Sequence, residues 1–167
     1  PDDRRLLKLA RISFNSCDWR RPTGEAKKLE AKDTYNARVG FGQEDWLFRD
    51  EWQIGLWRYA FLQGVNKSRA KLLRDGRAFD VTLFTIKEDK SRAYVAFIRG
   101  VECLSDRQAD DALQAFRDNG WFDAMEREIA SVGGDTNALL NARWSRDIVN
   151  VRFRLDNVLR LNRLVAP

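Results

Sequence analysis

The clearest alternation of apolar and polar positions lies in the middle of the chain. Residues 79–86 (FDVTLFTI) and 92–98 (RAYVAFI) are rich in β-branched and aromatic side chains, and the five residues KEDKS separate them. Two such runs joined by a short polar connection predict a β-hairpin. We expect the second strand to continue or bend at Gly100 and to run on towards Leu104.

Three further stretches alternate in the same way and predict strands. They are residues 9–14 (LARISF), 57–63 (WRYAFLQ) and 148–155 (IVNVRFRL). The last of these is expected to turn one apolar face inward and one polar face outward. We place Val149, Val151, Phe153 and Leu155 inward and Asn150, Arg152 and Arg154 outward. A short final element is expected at residues 158–164.

Two helices are predicted after the hairpin, because apolar residues there recur every three or four positions. Ser105 and Gln108 fit a capping box that starts the first helix, and Gly133 with Gly134 stops the second. The apolar stripes are typical of core packing: Ala109, Ala112, Leu113 and Phe116, then Trp121 or Phe122, Met125 and Ile129. Residues 25–38 have a helix-forming composition with poor apolar spacing, and residues 64–77 are interpreted as a basic connection.

The order of these elements predicts an α+β fold. Strands cluster along the chain instead of alternating with helices, which argues against a parallel doubly wound sheet. A small, strongly curved or closed β-sheet with helices packed on its outside fits this order best. A chain of 167 residues has the length of one domain, so we treat residues 1–167 as a single domain.

The residue types that are absent from the chain narrow the range of possible functions. The chain has no histidine, which removes His-based triads, most catalytic zinc sites and His-dependent nuclease centres. Cys17 and Cys103 have no metal-binding spacing, and we expect neither a metal nor another cofactor. No apolar run approaches the roughly 20 residues of a membrane span, and the N-terminus shows no signal peptide. The expected location is the reducing cytoplasm, away from membranes.

The net charge of +5 favours a polyanionic partner. Lys and Arg outnumber Asp and Glu by ten to six in residues 1–40 and by six to two in residues 143–163, whereas residues 105–128 have three against seven. Segregated basic segments that converge on one face would bind a nucleic acid. An unevenly charged, solvated surface is the alternative.

Aromatic residues are concentrated in residues 35–61, which hold eight of the chain's 19 aromatic side chains. The tryptophans there alternate with carboxylates, and Gly40 and Gly42 indicate a backbone with positive φ or a close approach. A pocket that stacks a flat ligand combines rings with polar groups in this way. Burial in the core is the alternative, since tryptophans are heavily buried on average. Trp144, outside this stretch, is expected to be packed rather than functional.

Four sequence blocks together resemble a known family. Residues 11–28 (RISFNSCDWRRPTGEAKK), 33–48 (DTYNARVGFGQEDWLF), 57–69 (WRYAFLQGVNKSR) and 79–86 are similar to the EVE-like domains of the PUA-like superfamily. These relatives of YTH and ASCH domains precede HNH nuclease domains in bacterial modification-dependent restriction enzymes. The resemblance covers most of the chain and implies a curved, PUA-like β-barrel with an aromatic cage.

Such domains flip a modified base out of the strand and stack it between aromatic rings. In the restriction-linked members the base is a modified cytosine in double-stranded DNA, such as 5-methylcytosine or 5-hydroxymethylcytosine. By this resemblance Trp46 is the first candidate for a stacking ring and Tyr35 the second, with Asn36 or Asp45 reading the edge of the base. The full set expected to bind the modified base is Asn15, Ser16, Trp19, Tyr35, Asn36, Asp45 and Trp46.

Basic residues near these blocks are expected to contact the nucleic-acid backbone. They are Arg20, Arg21, Lys27, Lys67, Arg69 and Lys71. Because an HNH centre needs histidine, we expect a binding domain that does not itself cut DNA. It would be either the recognition part of an enzyme with a covalently linked nuclease domain or a free-standing reader.

Three alternatives remain open at the level of sequence. One is a reader of a modified base in RNA, as YTH domains are. Another is an enzyme that uses carboxylates such as Glu44 and Asp45. The third is an interaction module whose aromatic residues form an ordinary core.

Overall fold

The computed structural model describes residues 6–29 and 34–161. Seven strands are found in this part of the chain: Leu6–Arg11 (β1), Gln53–Ile54 (β2), Trp57–Ala60 (β3), Phe79–Ile86 (β4), Arg92–Cys103 (β5), Val151–Arg154 (β6) and Val158–Arg160 (β7). They form one mixed sheet in the order β1-β4-β5-β6-β3-β2, and β7 pairs with β5. β1 is parallel to β4, and the other neighbours are antiparallel.

The long strand β5 joins the two parts of the sheet. Most of its length pairs with β4 and β7, whereas Glu102 and Cys103 at its end pair with β6. Gly100 has a φ of +65°, and its N–H donates to the Asp80 carboxylate at 3.0 Å. The predicted hairpin of β4 and β5 is therefore confirmed. Of the two courses expected at Gly100, the strand takes the first, because β5 continues through Gly100 to Cys103.

Six α-helices are found in the described residues. They are Ala26–Leu29 (α1), Tyr35–Val39 (α2), Gln63–Asp75 (α3), Asp106–Asp118 (α4), Trp121–Ser131 (α5) and Asn137–Leu140 (α6). Short 3₁₀ turns occupy Gln43–Trp46, Ser145–Asp147 and Leu155–Asn157. The predicted capping box is confirmed, since the Ser105 hydroxyl accepts from the Gln108 N–H and the Gln108 side chain accepts from the Ser105 N–H.

The buried apolar side chains form two clusters. The first packs α3 against the sheet through residues such as Leu72, Leu83 and Phe153. The second, which we call the helical core, holds α4 and α5 together through residues such as Phe116 and Ile129. Residues 41–52 contribute to both, because Leu47 and Phe48 enter the first cluster and Phe41, Trp46 and Trp52 enter the helical core.

The interpretation of residues 64–77 as a basic connection is wrong, because most of them lie in α3. Val65 and Leu72 are buried on one side of this helix, while Lys67 and Lys71 are exposed. Seven residues are close to two helical turns, so the two buried positions fall on one face. The dense positive charge conceals this spacing in the sequence.

The expected outward orientation of Asn150 is also wrong. Its side chain is completely buried, and its amide accepts from the Leu62 N–H and donates to the Leu62 carbonyl, both at 2.9 Å. Leu62 lies between β3 and α3, where the backbone would otherwise lack partners. A buried main-chain group without a partner is destabilising, which explains why a polar residue points inward here.

Element ends differ from the predicted ones at both ends of the chain. β1 begins and ends three residues earlier than the predicted strand 9–14, because its register is set by parallel pairing with β4. β7 covers the start of the predicted element 158–164. Residues 162–164 lie outside the described residues, as do residues 30–33 of the predicted helical segment.

The α+β class is confirmed, with a mixed sheet and packed helices, but the sheet is not a closed barrel. Among the described residues, β1 and β2 end the strand order and do not pair with each other. Leu7 and Leu9 on β1 are exposed. No helix in residues 6–29 and 34–161 is long and apolar enough to cross a membrane.

Candidate functional site

A cavity of about 480 Å³ opens between α2, the start of α3 and residues 137–147. A second depression of about 330 Å³ adjoins it and shares Tyr35, Asn36, Glu44 and Gln63 as lining residues. Six primary amides line the larger opening, so we call it the amide cavity: Asn36, Gln43, Gln63, Asn66, Asn137 and Asn141. Tyr35, Phe61, Glu44, Arg143 and Asp147 complete its polar and aromatic lining.

Helix α2 places Tyr35 and Asn36 at the mouth of the amide cavity. The helix starts at Thr34, whose hydroxyl accepts from the Ala37 N–H at 3.3 Å, and ends at Gly40 with φ +85°. Tyr35 is 54% exposed, so its ring is available to a ligand. The Asn36 amide donates to the Ser13 hydroxyl at 3.0 Å, which orients the side chain.

Gly42 allows Asn36 to pack closely against the following turn. A Cβ at position 42 would lie 3.1 Å from Asn36 Nδ2, tighter than ordinary contact. The sequence-based expectation of positive φ or close approach at these glycines is therefore confirmed, with positive φ at Gly40 and close approach at Gly42.

Glu44 forms the buried floor shared by both openings. Only 6% of the residue is exposed, and its carboxylate accepts from the Gln63 N–H at the start of α3 (3.0 Å). The neighbouring Gln43 lines the amide cavity, and its Oε1 is buried without a hydrogen-bond partner among the described residues.

A buried arginine fixes the 3₁₀ turn that carries Gln43 and Glu44. Arg58 on β3 donates to the main-chain carbonyls of Trp46 and Tyr59. Burial lowers the pKa of Arg58 to about 9. The turn is thus bound to the sheet by a charged donor in a low-dielectric interior, where such hydrogen bonds are strong.

Asn66 presents a donor to the amide cavity. Its Oδ1 accepts from the Asn150 amide at 3.0 Å, and Asn150 is itself fixed by its two bonds to Leu62. Because the oxygen of Asn66 is engaged, its NH₂ group is the part that remains to donate. Asn150 therefore connects the sheet, the start of α3 and the cavity wall.

A cationic and aromatic rim borders the cavity at residues 143–146. Trp144 is 46% exposed, so the expectation that it is packed is wrong. The guanidinium groups of Arg143 and Arg146 lie 5.1 Å and 4.8 Å from its ring centroid. Asp106 accepts hydrogen bonds from Arg146 and Arg69, both at 2.8 Å. The hydrogen bond from Arg146 is the main cause that lowers the pKa of Asp106.

The structure places the predicted loop residues away from the cavity. Trp19 is completely buried, and its indole N–H donates to the Ser13 carbonyl at 2.9 Å. Asn15 is also buried and accepts from the Cys17 and Trp19 N–H groups, so its side chain organises the turn. Ser16 is exposed but does not line either opening.

Trp46 and Trp52 of the aromatic stretch point into the helical core. Trp46 is 2% exposed, packs edge-on against Phe41 at 5.9 Å and donates its N–H to Glu128. Trp52 stacks on Trp121 at 5.9 Å. Neither ring is available at the surface of this structure.

Two carboxylates of the aromatic stretch, residues 35–61, have hydrogen-bond or ion-pair partners within the protein. Asp45 accepts from the Gly42 N–H at 3.0 Å and from the Asn15 amide at 3.1 Å. Glu51 pairs with Arg20 and Arg49. Asp45 and Glu51 thus stabilise turns beside a buried aromatic core, and Glu44 is the acid of this stretch that lines the amide cavity.

The predicted backbone-contacting residues are dispersed. Lys67 lines the smaller opening, and Arg21 and Lys71 are exposed elsewhere. Others already have protein partners: Arg20 pairs with Glu51, Arg69 with Asp106, and Lys27 donates to the Gly133 carbonyl. The structure therefore brings together Tyr35, Asn36 and Lys67 from the predicted set, and does not add Asn15, Ser16, Trp19, Asp45 or Trp46 to the cavity lining.

Sequence reasoning missed most of the amide cavity. Gln43, Phe61, Gln63, Asn137, Asn141 and Arg143 were not singled out, because an isolated amide carries no periodic signal. The cavity combines three segments, around residues 35–44, 61–66 and 137–147. The polar, irregular composition of residues 135–147 was the one available indication.

No family model, no curated protein and no solved structure matches this chain. The geometry of the amide cavity and its rim therefore carries the functional argument. Among the described residues, no group of three or more acidic, cysteine or histidine side chains is arranged to hold a metal ion.

Proposed function

We propose that this chain is a nucleic-acid-binding domain that accommodates one flipped, modified base in the amide cavity. The observation that carries the proposal is the cavity itself, in which an exposed tyrosine stands at the mouth of a pocket lined by six amides and a buried carboxylate. An aromatic face stacks a base, and amides and carboxylates form hydrogen bonds with its edge.

Size and surroundings support this assignment. A volume of about 480 Å³ falls within the range of about 300–1,000 Å³ that is typical of small-ligand sites. Arg143 lines the cavity, Lys67 lines the adjoining opening and Trp144 is exposed beside them. Cationic groups around a base-sized cavity suit a polyanionic strand from which one base is extruded.

The resemblance to EVE-like domains supplies the finer proposal. On that basis the fold is a PUA-like variant with an open sheet, the ligand is double-stranded DNA with 5-methylcytosine or 5-hydroxymethylcytosine, and the role is recognition in a modification-dependent restriction system. The chain acts as a binding domain, either as the recognition part of an enzyme whose linked nuclease domain does the cutting or as a free-standing reader.

Fluorescence anisotropy with matched oligonucleotides tests this proposal. Four ligands of one sequence are compared: duplexes with one 5-methylcytosine, one 5-hydroxymethylcytosine or no modification, and the corresponding modified RNA. We expect a modified DNA duplex to bind most tightly, with affinity that falls as salt rises. Equal affinity for modified and unmodified ligands would contradict the base-reading function, and a preference for the RNA would favour an RNA reader.

A further inference from the structure

Trp144 differs from the other tryptophans of the chain in its exposure. All six tryptophans lie in the described residues. Trp19, Trp46 and Trp52 are buried and two others are half-buried, whereas Trp144 is 46% exposed. It belongs to neither of the two buried apolar clusters, nor to the side chains that pack against them. Tryptophan is heavily buried on average, so an exposed ring beside a cavity marks a surface that a ligand can cover.

The polar end of Trp144 is available as well. The indole N–H groups of Trp19 and Trp46 donate to Ser13 and Glu128, which fixes both rings inside the protein. The N–H group of Trp144 forms no hydrogen bond with a described residue. Its ring therefore has both an open face and an unused donor.

The chain on both sides of Trp144 fixes its position at the rim of the amide cavity. The preceding residue, Arg143, lines the cavity, whereas Trp144 does not. The following 3₁₀ turn, Ser145–Asp147, is closed by the Asp147 N–H, which donates to the Trp144 carbonyl at 3.0 Å. Directly after this turn, Ile148 is buried in the helical core. The ring is thus presented outside the cavity but next to it, on a turn that is anchored in the core.

The two arginines beside the ring differ in their partners. Arg146 donates to Asp106 at 2.8 Å, so its guanidinium group is held at the start of α4. Arg143 is exposed and forms no hydrogen bond or ion pair with a described residue. Its charge is therefore available to a phosphate group.

Base flipping leaves a gap in the duplex and an unpaired base on the opposite strand. Both are unfavourable, because stacking and pairing are lost. A flat aromatic ring can fill a gap of one base step, about 3.4 Å along the strand, and it stacks on every kind of base. Proteins that kink DNA insert apolar side chains between base steps in a similar way. An exposed tryptophan at the rim of a base-sized cavity is suited to this position.

We infer that Trp144 is a second stacking residue, which enters the gap left by the flipped base and contacts the base left unpaired on the opposite strand. Arg143 contacts the phosphate backbone beside it. The inference rests on the proposed function of the amide cavity, and it extends recognition from the modified strand to the complementary strand.

The test measures how the effect of removing Trp144 depends on the opposite base. Two duplexes have one 5-methylcytosine at the target position, paired with guanine in one and opposite a stable abasic analogue in the other. A third duplex has unmodified cytosine paired with guanine. Affinities of the wild-type chain and of Trp144→Ala are measured by fluorescence anisotropy. Each comparison is the ratio of the two affinities for one duplex, so that the different cost of opening each duplex cancels.

For the duplex with 5-methylcytosine paired with guanine, we expect Trp144→Ala to bind about tenfold more weakly than wild type, as the loss of stacking on one base predicts. For the duplex with the abasic analogue we expect a loss below about threefold, because the base that the ring contacts is absent. Tyr94→Ala, at an exposed aromatic residue that lines neither opening, is the matched control and should leave both affinities unchanged. Thermal unfolding checks that both variants are folded.

Arg143→Gln tests the neighbouring phosphate contact. We expect it to weaken binding of all three duplexes by a similar factor and to reduce the slope of log affinity against log salt by about one. Arg127→Gln, at an exposed position on α5, is the control and should leave the slope unchanged. An unchanged slope in Arg143→Gln would contradict the phosphate contact.

The outcomes separate this inference from the proposed function. If the wild-type chain prefers the modified duplex and Trp144→Ala binds it as tightly as wild type, the second stacking residue is overturned and base reading is left intact. Equal losses with guanine and with the abasic analogue would show that Trp144 does not contact the opposite base, which also overturns the inference alone. Equal wild-type affinity for the modified and unmodified duplexes would overturn base reading, and this inference with it.

Discussion

The aromatic segment 41–52 and the amide cavity lie next to each other in the fold but have opposite characters. In the aromatic segment, Phe41, Trp46 and Trp52 are buried and pack on α4 and α5. In the cavity, Tyr35 is largely exposed and lines the opening together with polar side chains. The 3₁₀ turn Gln43–Trp46 belongs to both, because it directs Gln43 and Glu44 to the cavity and Trp46 to the helical core.

This difference shows that a concentration of aromatic residues is a poor guide to a binding site. A buried ring contributes to stability through the surface that it removes from water. A ring in a site needs an open face and nearby polar groups that can be used by a ligand. The polar groups near the open ring of Tyr35 are mostly amide side chains. The sequence pattern does not distinguish these amides from other polar residues.

The largest expected effect is on stability, at Trp46. Trp46→Ala should lower the free energy of unfolding by about 3–5 kcal/mol, because it leaves a cavity in the helical core and removes the donor to Glu128. Urea denaturation measures this. Trp144→Ala is the matched control at an exposed tryptophan, and we expect a change within about 0.5 kcal/mol. A Trp46→Ala protein of unchanged stability that has lost nucleic-acid binding would instead place this ring in the site.

The second effect concerns Asn150, which connects the wall of the amide cavity to the sheet. Asn150→Ala should destabilise the chain by about 1–3 kcal/mol for each Leu62 group left without a partner. Affinity for the modified duplex should also fall, because Asn66 loses the bond that orients it. Denaturation and anisotropy measure the two parts. Unchanged affinity in the folded protein would show that Asn66 does not depend on this bond.

The third effect is on binding alone, at Tyr35. Tyr35→Ala should weaken binding of a 5-methylcytosine duplex by about tenfold, since base stacking contributes roughly 1–3 kcal/mol, while the unfolding free energy stays within about 0.5 kcal/mol of wild type. Tyr94→Ala is the control, because Tyr94 has a similar exposure of 59% and lines neither opening. Equal losses in both variants would argue against stacking on Tyr35.

The smallest effect is electrostatic and lies at the cavity rim. The Asp106 pKa is lowered, chiefly by the hydrogen bond from Arg146. For a carboxyl with a lowered pKa, the favourable contact is present above its ordinary pKa and is lost as the pH falls through the lowered one. Carboxyl NMR titration should show the lowered value, and Arg146→Gln should raise it towards the ordinary one. The change in stability should be small, because Asp106 is exposed and screened.

Local signals in the sequence predicted several elements correctly. The hairpin β4–β5, the Ser105 capping box and the special backbone at Gly40 and Gly42 all depend on neighbours within a few residues. In these places side-chain spacing and turn chemistry determine the conformation.

Features that depend on distant residues were not predictable in the same way. α3 was obscured by its lysines and arginines, and Asn150 is buried because Leu62, 88 residues away in sequence, needs its amide. The amide cavity forms only where residues 35–44 meet residues 137–147. Parts of the candidate site that lie within one segment, Tyr35 and Asn36, were predicted as site residues, and the long-range parts were missed.

The most direct test of the central claim is a crystal structure of the chain bound to a DNA duplex with a single 5-methylcytosine. We predict that the modified base is extruded from the duplex into the amide cavity, with its ring against Tyr35 and its polar edge towards the amide side chains that line the cavity. A base that remains stacked in the duplex, or that lies between Trp19 and Trp46 after a rearrangement of the core, would contradict the account.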